Sequence, residues 1–252
     1  MSNYTISEEF HLPSKGKVYS ENVNPIVKLR SMTTEDEMKR LSPSERSYKN
    51  LCEIIDSCLV ENPGISSYDM CLADYQYLLY MLRVVTYGSK YNVTSRCPYC
   101  SSDNDSSIDL NNLKITPYVK KDLDKYTNIT LPISNHKVTI RMQTPRMIDD
   151  VEEQVKERRK QTKNKEGDSA FLFTVMGIID KIDGEDLDPI KKEDFVRKLP
   201  MGDTNFIIRN AEKLVESFGV QREVENVCPV CGLDYTSSFR LTKEFFGPSI
   251  DL

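Results

Sequence analysis

Cys97-Pro98-Tyr99-Cys100 and Cys228-Pro229-Val230-Cys231 are the two stretches on which the reading of this 252-residue chain turns. Each follows a strand-like segment, Val93-Thr94-Ser95-Arg96 in one case and Val224-Glu225-Asn226-Val227 in the other. A Cys-Pro-x-Cys unit after a strand can turn sharply and aim two thiolates and nearby backbone amides at one ion. Two such knuckles supply the four tetrahedral sulfurs of a closed structural site. Cys97, Cys100, Cys228 and Cys231 are therefore predicted to hold one structural Zn2+. Ordinary zinc ribbons have short spacers, whereas 127 residues separate Cys100 from Cys228. The intervening chain must return its two ends side by side.

Two other chemistries use the same residues. A thioredoxin-like redox pair sits at a helix start, where the dipole lowers the thiol pKa; here the following segments, Ser106 to Leu110 and Asp234 to Phe239, read as strands. An iron–sulfur cluster would also accept four cysteines, although matched Cys-Pro-x-Cys hairpins belong more commonly to zinc. Cys52, Cys58 and Cys71, set among apolar residues, read as core cysteines.

The hydrophobic share, 38%, suffices for a core that zinc supplements rather than replaces. A formal charge of −5 argues against a protein that coats nucleic acid, because that affinity needs a Lys/Arg surplus. No stretch approaches the roughly 18 apolar residues of a membrane span. The longest candidate, Tyr77 to Val85, is broken by Arg83, and residues 1 to 20 lack the apolar centre of a signal peptide. Reduced thiols in an intracellular, membrane-free setting are the expectation.

The elements around the knuckles suggest an α+β fold. It would comprise a zinc-ribbon β unit built from both knuckles, an N-terminal helical layer and a helical insertion. Residues 1–25 read as an N-terminal arm, 26–115 and 220–252 as a helical plus zinc-ribbon domain, and 116–219 as a β-hairpin and helical insertion. Thr33-Thr34-Glu35-Asp36-Glu37 offers a capping-box start to a short helix, a Thr hydroxyl meeting a carboxylate three residues on, and Ser42-Pro43 a second helix start. A core helix from about Asp69 or Asp74 ends at Gly88 as a left-handed cap. Within the insertion, Ile129 to Ile133 and Val138 to Met142 make a hairpin. Helices follow from Pro145 through the charged run to Lys165, from Ala170 to Ile182, from Pro189 to Leu199, and from Asp203 as cap to Phe218. The arm from Glu8 to Tyr19 either binds a partner through Phe10, Leu12, Val18 and Tyr19 or folds back on its own domain.

No catalytic constellation emerges. Four sulfurs leave no coordination position for water. His11 and His136 lie in unrelated contexts, and there is neither a phosphate loop nor a nucleophile elbow. Asp149-Asp150 and Glu152-Glu153 precede Lys156, Arg158, Arg159, Lys160, Lys163 and Lys165, an order that complements the helix dipole of a solvated helix.

With these residues assembled, the chain resembles the baseplate hub and hub-assembly proteins of T-even-type contractile-tailed bacteriophages. The resemblance rests on Leu12-Pro13-Ser14-Lys15-Gly16-Lys17-Val18-Tyr19, then Val27 to Glu37, then Asp74, Leu78-Leu79, Leu82-Arg83 and Tyr87-Gly88 before the first knuckle. It covers about the first 100 residues and extends to the second knuckle; no motif of the family is recognised in the insertion. It implies a non-enzymatic tail protein, made in the host bacterial cytoplasm and carried into the virion baseplate or acting only during assembly. Its partners would be other baseplate hub proteins, with no small-molecule substrate. The alternative is a zinc-ribbon nucleic-acid-binding protein, supported by Tyr99 and the basic run and opposed by the net charge.

Overall fold

The most apolar stretch of the sequence, Leu72–Tyr87, forms a helix buried on nearly every side. A helix with so little polar face belongs at the centre of a domain. In the computed structural model, which describes residues 6–162, 169–239 and 243–246, the other elements are laid against it.

Strand β1 (Ser7–His11) pairs antiparallel with β2 (Ile26–Arg30), where Val27 and Leu29 alternate inward as the sequence predicts. The connection between them folds back on its own chain, the second of the two readings given to the arm. Leu12 is buried, and three donors meet on the carboxylate of Asp74: the Ser14 amide at 2.9 Å, the Ser14 hydroxyl at 2.5 Å and the Tyr19 hydroxyl at 2.6 Å. Burial raises the pKa of Asp74, while those donors oppose the rise by stabilising its charge. Gly16, at φ 70°, is obligatory in this turn, since a Cβ there would lie 2.5 Å from the Val23 carbonyl oxygen.

Helix α1 (Thr34–Leu41) begins at a capping box within the predicted stretch, made by Thr33 and Asp36. The second start is displaced. Ser42 closes the C-terminus of α1, its amide on the Lys39 carbonyl, and α2 runs Ser47–Cys58. Nothing in the preceding sequence caps α2 with a side chain. The acceptor comes instead from residue 149, whose carboxylate takes the Tyr48 amide at 3.3 Å, the Lys49 amide at 2.8 Å and the Tyr68 hydroxyl at 3.0 Å. The central helix is α3 (Leu72–Tyr87); Gly88 ends it at φ 88° and ψ 167°, a positive φ with extended rather than left-handed helical ψ. Arg83, which interrupts the apolar run, is fully buried. It donates to the carbonyls of Phe245 at 2.8 Å and Gly88 at 2.6 Å and lies over the rings of Tyr91 and Phe245.

Hairpin β3 (Lys90–Arg96) and β4 (Asp103–Asp109) follows, then the short β5 (Ile115–Thr116). Helix α4 (Lys120–Thr127), which the sequence did not suggest, leads into the hairpin of β6 (Asn128–Thr130) and β7 (Lys137–Ile140). Helix α5 spans Pro145–Thr162, and the predicted extension to Lys165 lies outside the described residues. Helix α6 (Ser169–Ile178) stops four residues before the predicted end. Ile179–Ile182 forms β8, hydrogen-bonded to β7. A short apolar run reads alike as buried helix or buried strand, and the free edge of β7 decided this one. Helix α7 (Pro189–Lys198) is capped by Asp188, and α8 spans Met201–Glu216. Asp203, expected to cap α8, lies inside its first turn and accepts instead from the Ile133 and Ser134 amides, both at 2.9 Å.

Strand β9 (Gly219–Val220) pairs with β5 and so returns the chain to where it left, before the second hairpin, β10 (Glu223–Val227) and β11 (Asp234–Ser238). The architecture is thus mixed helix and antiparallel sheet, as expected. One apolar cluster surrounds α3 and a second lies within β6 to α8.

The shared acceptor at the start of α2 yields a test. Asp149→Ala strands two helix amides and a buried tyrosine hydroxyl, and should cost about 2 kcal/mol, seen as a lower urea midpoint at unchanged slope. An unchanged midpoint would show that water caps α2 equally well.

Candidate metal centre

The two knuckles repeat one backbone design. In the first, the Cys97 amide donates to Ser102 and the Ser101 amide to Cys97, at 2.9 and 3.0 Å; in the second, Cys228 donates to Leu233 and Gly232 to Cys228, at 3.0 and 2.8 Å. The residue after each second cysteine has positive φ, Ser101 at 60° and Gly232 at 72°. That conformation costs glycine nothing and a serine some strain.

These turns place the sulfurs together. Cys97 Sγ lies 3.8 Å from Cys231 Sγ, Cys100 Sγ lies 3.6 Å from Cys228 Sγ, and all four fall within 4.8 Å of one another. Thiolates at about 2.3 Å from one zinc stand about 3.8 Å apart at tetrahedral corners, so the spacing suits a single ion. A disulfide needs sulfurs at about 2.05 Å, and all seven cysteines are free. Multi-iron clusters interpose iron and sulfide between their thiolates and need wider spacing. Both pairs lead into strands β4 and β11 rather than helices, which removes the setting a redox pair requires.

The electrostatics ask for a cation. The Ser102 hydroxyl, 3.3 Å from Cys228 Sγ, heads the hydrogen bonds that push the Cys228 thiol down to about 5. Ser102 likewise lowers Cys100. The Leu233 amide favours a thiolate at Cys231, but burial and the neighbouring cysteines outweigh it and raise that thiol to about 12. Crowded thiolates cannot all ionise unaided, and a bound dication relieves that repulsion. Among the described residues, this is the group of His, Cys, Asp or Glu side chains arranged to hold a metal ion.

Sequence reasoning missed the residues beneath the sulfurs. Asn104 Nδ2 donates to Tyr235 Oη at 3.2 Å and approaches Cys228 Sγ at 3.7 Å, while Ser95 Oγ lies 2.8 Å from the same tyrosine oxygen. Asn104 and Tyr235 are buried and occupy matching places, each the seventh residue after the first cysteine of its knuckle. Aligning the two knuckles would have drawn attention to the pair; their contact is visible only in three dimensions.

The other polar candidates lie elsewhere. His11 is on β1, and His136 Nδ1 sits 2.6 Å from Asp183 Oδ2 beside Phe195, in the insertion. The basic run of α5 is partly neutralised, Arg158 by Glu193 at 2.7 Å, while Arg46 pairs with Asp150 and Glu153 on its acidic turns. Lys163 and Lys165 lie outside the described residues.

A family model described as T4 bacteriophage base plate protein matches residues 3–247. No curated protein and no solved structure matches the chain.

The buried bridge between hairpins makes its own prediction. Asn104→Ala removes a donor from Tyr235 and Cys228 and should cost about 1–2 kcal/mol of stability. Tyr235→Phe should cost a similar amount, and the double variant less than the sum of the two, because they share one interaction. Additive losses in thermal or urea unfolding would show that the two side chains act independently.

Proposed function

Because the chain belongs to the T4 bacteriophage base plate protein family, we propose that it is a non-enzymatic tail protein acting in the assembly or structure of the baseplate central hub, stabilised by one structural Zn2+. The family match over residues 3–247 carries the baseplate reading. The hub assignment draws on the ordered motifs from Leu12 to Gly88. Zinc is supported by four sulfurs within 4.8 Å of one another in paired knuckles. Cys97, Cys100, Cys228 and Cys231 would hold it, and bound there it supplies a cross-link rather than a reactive centre, since four sulfurs fill its tetrahedral shell. The partners are other baseplate proteins, met in the infected host's cytoplasm or in the tail.

Protein purified without added metal should contain about one zinc per chain. A ratio near zero, or an iron–sulfur absorption band, would overturn the assignment. Cys97→Ser should lose the zinc and up to about 5 kcal/mol of stability, the scale of opening a cross-link across a loop of this length. Unchanged melting would make the site dispensable to the fold.

The hub reading is tested by co-expression with the neighbouring tail genes, followed by affinity purification and mass spectrometry of complexes and mature particles. Recovery in particles would mark a structural subunit, and recovery only in precursors an assembly factor. Salt-sensitive binding to DNA or RNA with no tail protein recovered would replace the proposal with the nucleic-acid reading.

A further inference from the structure

The two knuckle hairpins carry charge out of proportion to their length. Residues 90–109 and 223–238 hold Asp103, Asp105, Asp109, Glu223, Glu225 and Asp234 against Lys90 and Arg96, a formal −4 of the chain's −5. A dication bound by four thiolates adds two further negative charges. In register, Asp103 stands opposite Arg96 and Asp234 opposite Val227, immediately beside the knuckles, with Asp105 and Glu225 two residues further along. Thr94 donates to Asp105 at 2.6 Å, and Glu225 lies 3.7 Å from Lys114 Nζ in a pair so exposed that it neutralises little.

The knuckle tips, by contrast, present apolar side chains to solvent. Tyr99 is 64% exposed and Val230 71%, at matching positions, with Val227 at 66% and Leu233 at 48% beside the second knuckle. They serve neither the sulfur cluster nor the buried Asn104–Tyr235 bridge. An apolar centre with a charged surround is the anatomy of a protein interface, in which a few anchors supply affinity and the rim supplies register and association rate.

We propose that the paired knuckle tips dock a protein segment whose apolar residue is flanked by lysines or arginines. The source of that segment, another baseplate protein, rests on the function proposed above. Charge selects this occupant. A second copy would bring the same acidic surround and repel it, and phosphates of nucleic acid or an anionic membrane would be repelled likewise. A cationic segment is attracted, and its apolar residue covers Tyr99 and Val230.

The test places the photocrosslinker p-benzoylphenylalanine at Tyr99 or Val230 of the full, zinc-loaded chain, co-expressed with the neighbouring tail proteins. A control position is Ile190 on α7, which is 82% exposed. The tips should crosslink one tail protein within a segment of net positive charge, about tenfold more than the control. Asp103→Lys with Asp234→Lys should cut that yield about tenfold, as should about 0.5 M salt, through the lost charge attraction. Zinc content and melting establish that this variant is folded; if it is not, the near-isosteric Asp103→Asn with Asp234→Asn takes its place and should cut the yield about threefold. A tail complex that forms without tip crosslinks overturns the docking surface and leaves the baseplate reading standing. So would tip crosslinks to a second copy or to nucleic acid, or a yield indifferent to charge. Failure to form any tail complex would overturn both.

Discussion

The backbone pairs Ile115 with Val220 and Thr116 with Gly219, and through them a strand leaving the first hairpin meets a strand entering the second. Ends of a 102-residue excursion do not find one another cheaply, because closing a long loop costs entropy before any contact repays it. The repayment here comes from packing. A Cβ at Gly219 would lie 2.9 Å from Ala73 Cβ, so the return strand runs directly over the central helix, and φ 110° suits glycine alone. With that neck closed, four sulfurs from two distant turns need only the local geometry of the knuckles to share one ion.

Buried carboxylates hold the remaining pieces in place. Asp74 gathers the N-terminal turn onto α3, Asp149 of α5 caps α2, and Asp203 of α8 takes two amides from the turn after β6. Among the described residues none of the three carboxylates is in an ion pair, and each is held by backbone amides or hydroxyls instead. Such bonds are directional, and an apolar residue of the same size would leave several buried donors unsatisfied. The insertion is thereby joined to the α3 layer by hydrogen-bonded contact as well as by the neck.

The candidate metal centre and the proposed docking tips divide the knuckles between them. Cys97, Cys228, Asn104 and Tyr235 are buried between the hairpins, while Tyr99 and Val230 face outward from the same turns. The four sulfurs lie in the turns of two short hairpins, where a shared ion would keep the tips from moving independently. Rigid anchors lose less entropy on binding, which suits a protein working through contact with partners.

The four cysteines were legible because chemistry fixes their spacing: two thiolates on one tight turn need the Cys-Pro-x-Cys pattern wherever the turn occurs. The capping box in the stretch from Thr33 to Glu37 was local in the same sense, made by residues within one helical turn. What failed was not local. Ser42-Pro43 looked like a helix start, yet α2 begins at Ser47 with its acceptor 100 residues away in Asp149. Ile179 to Ile182 continued an apolar helix pattern, yet β7 offered unpaired backbone groups and took them as a strand. Arg83 marked only an interruption until the turn at Phe245 supplied a carbonyl and a ring. The sequence by itself determined which four cysteines could share an ion and the segments able to form helices and hairpins, since those follow from residue type and short-range spacing. The tertiary structure decided which end receives which cap, which edge receives which strand, and how Asn104 meets Tyr235, because a hydrogen-bond partner distant in sequence leaves no periodicity to read.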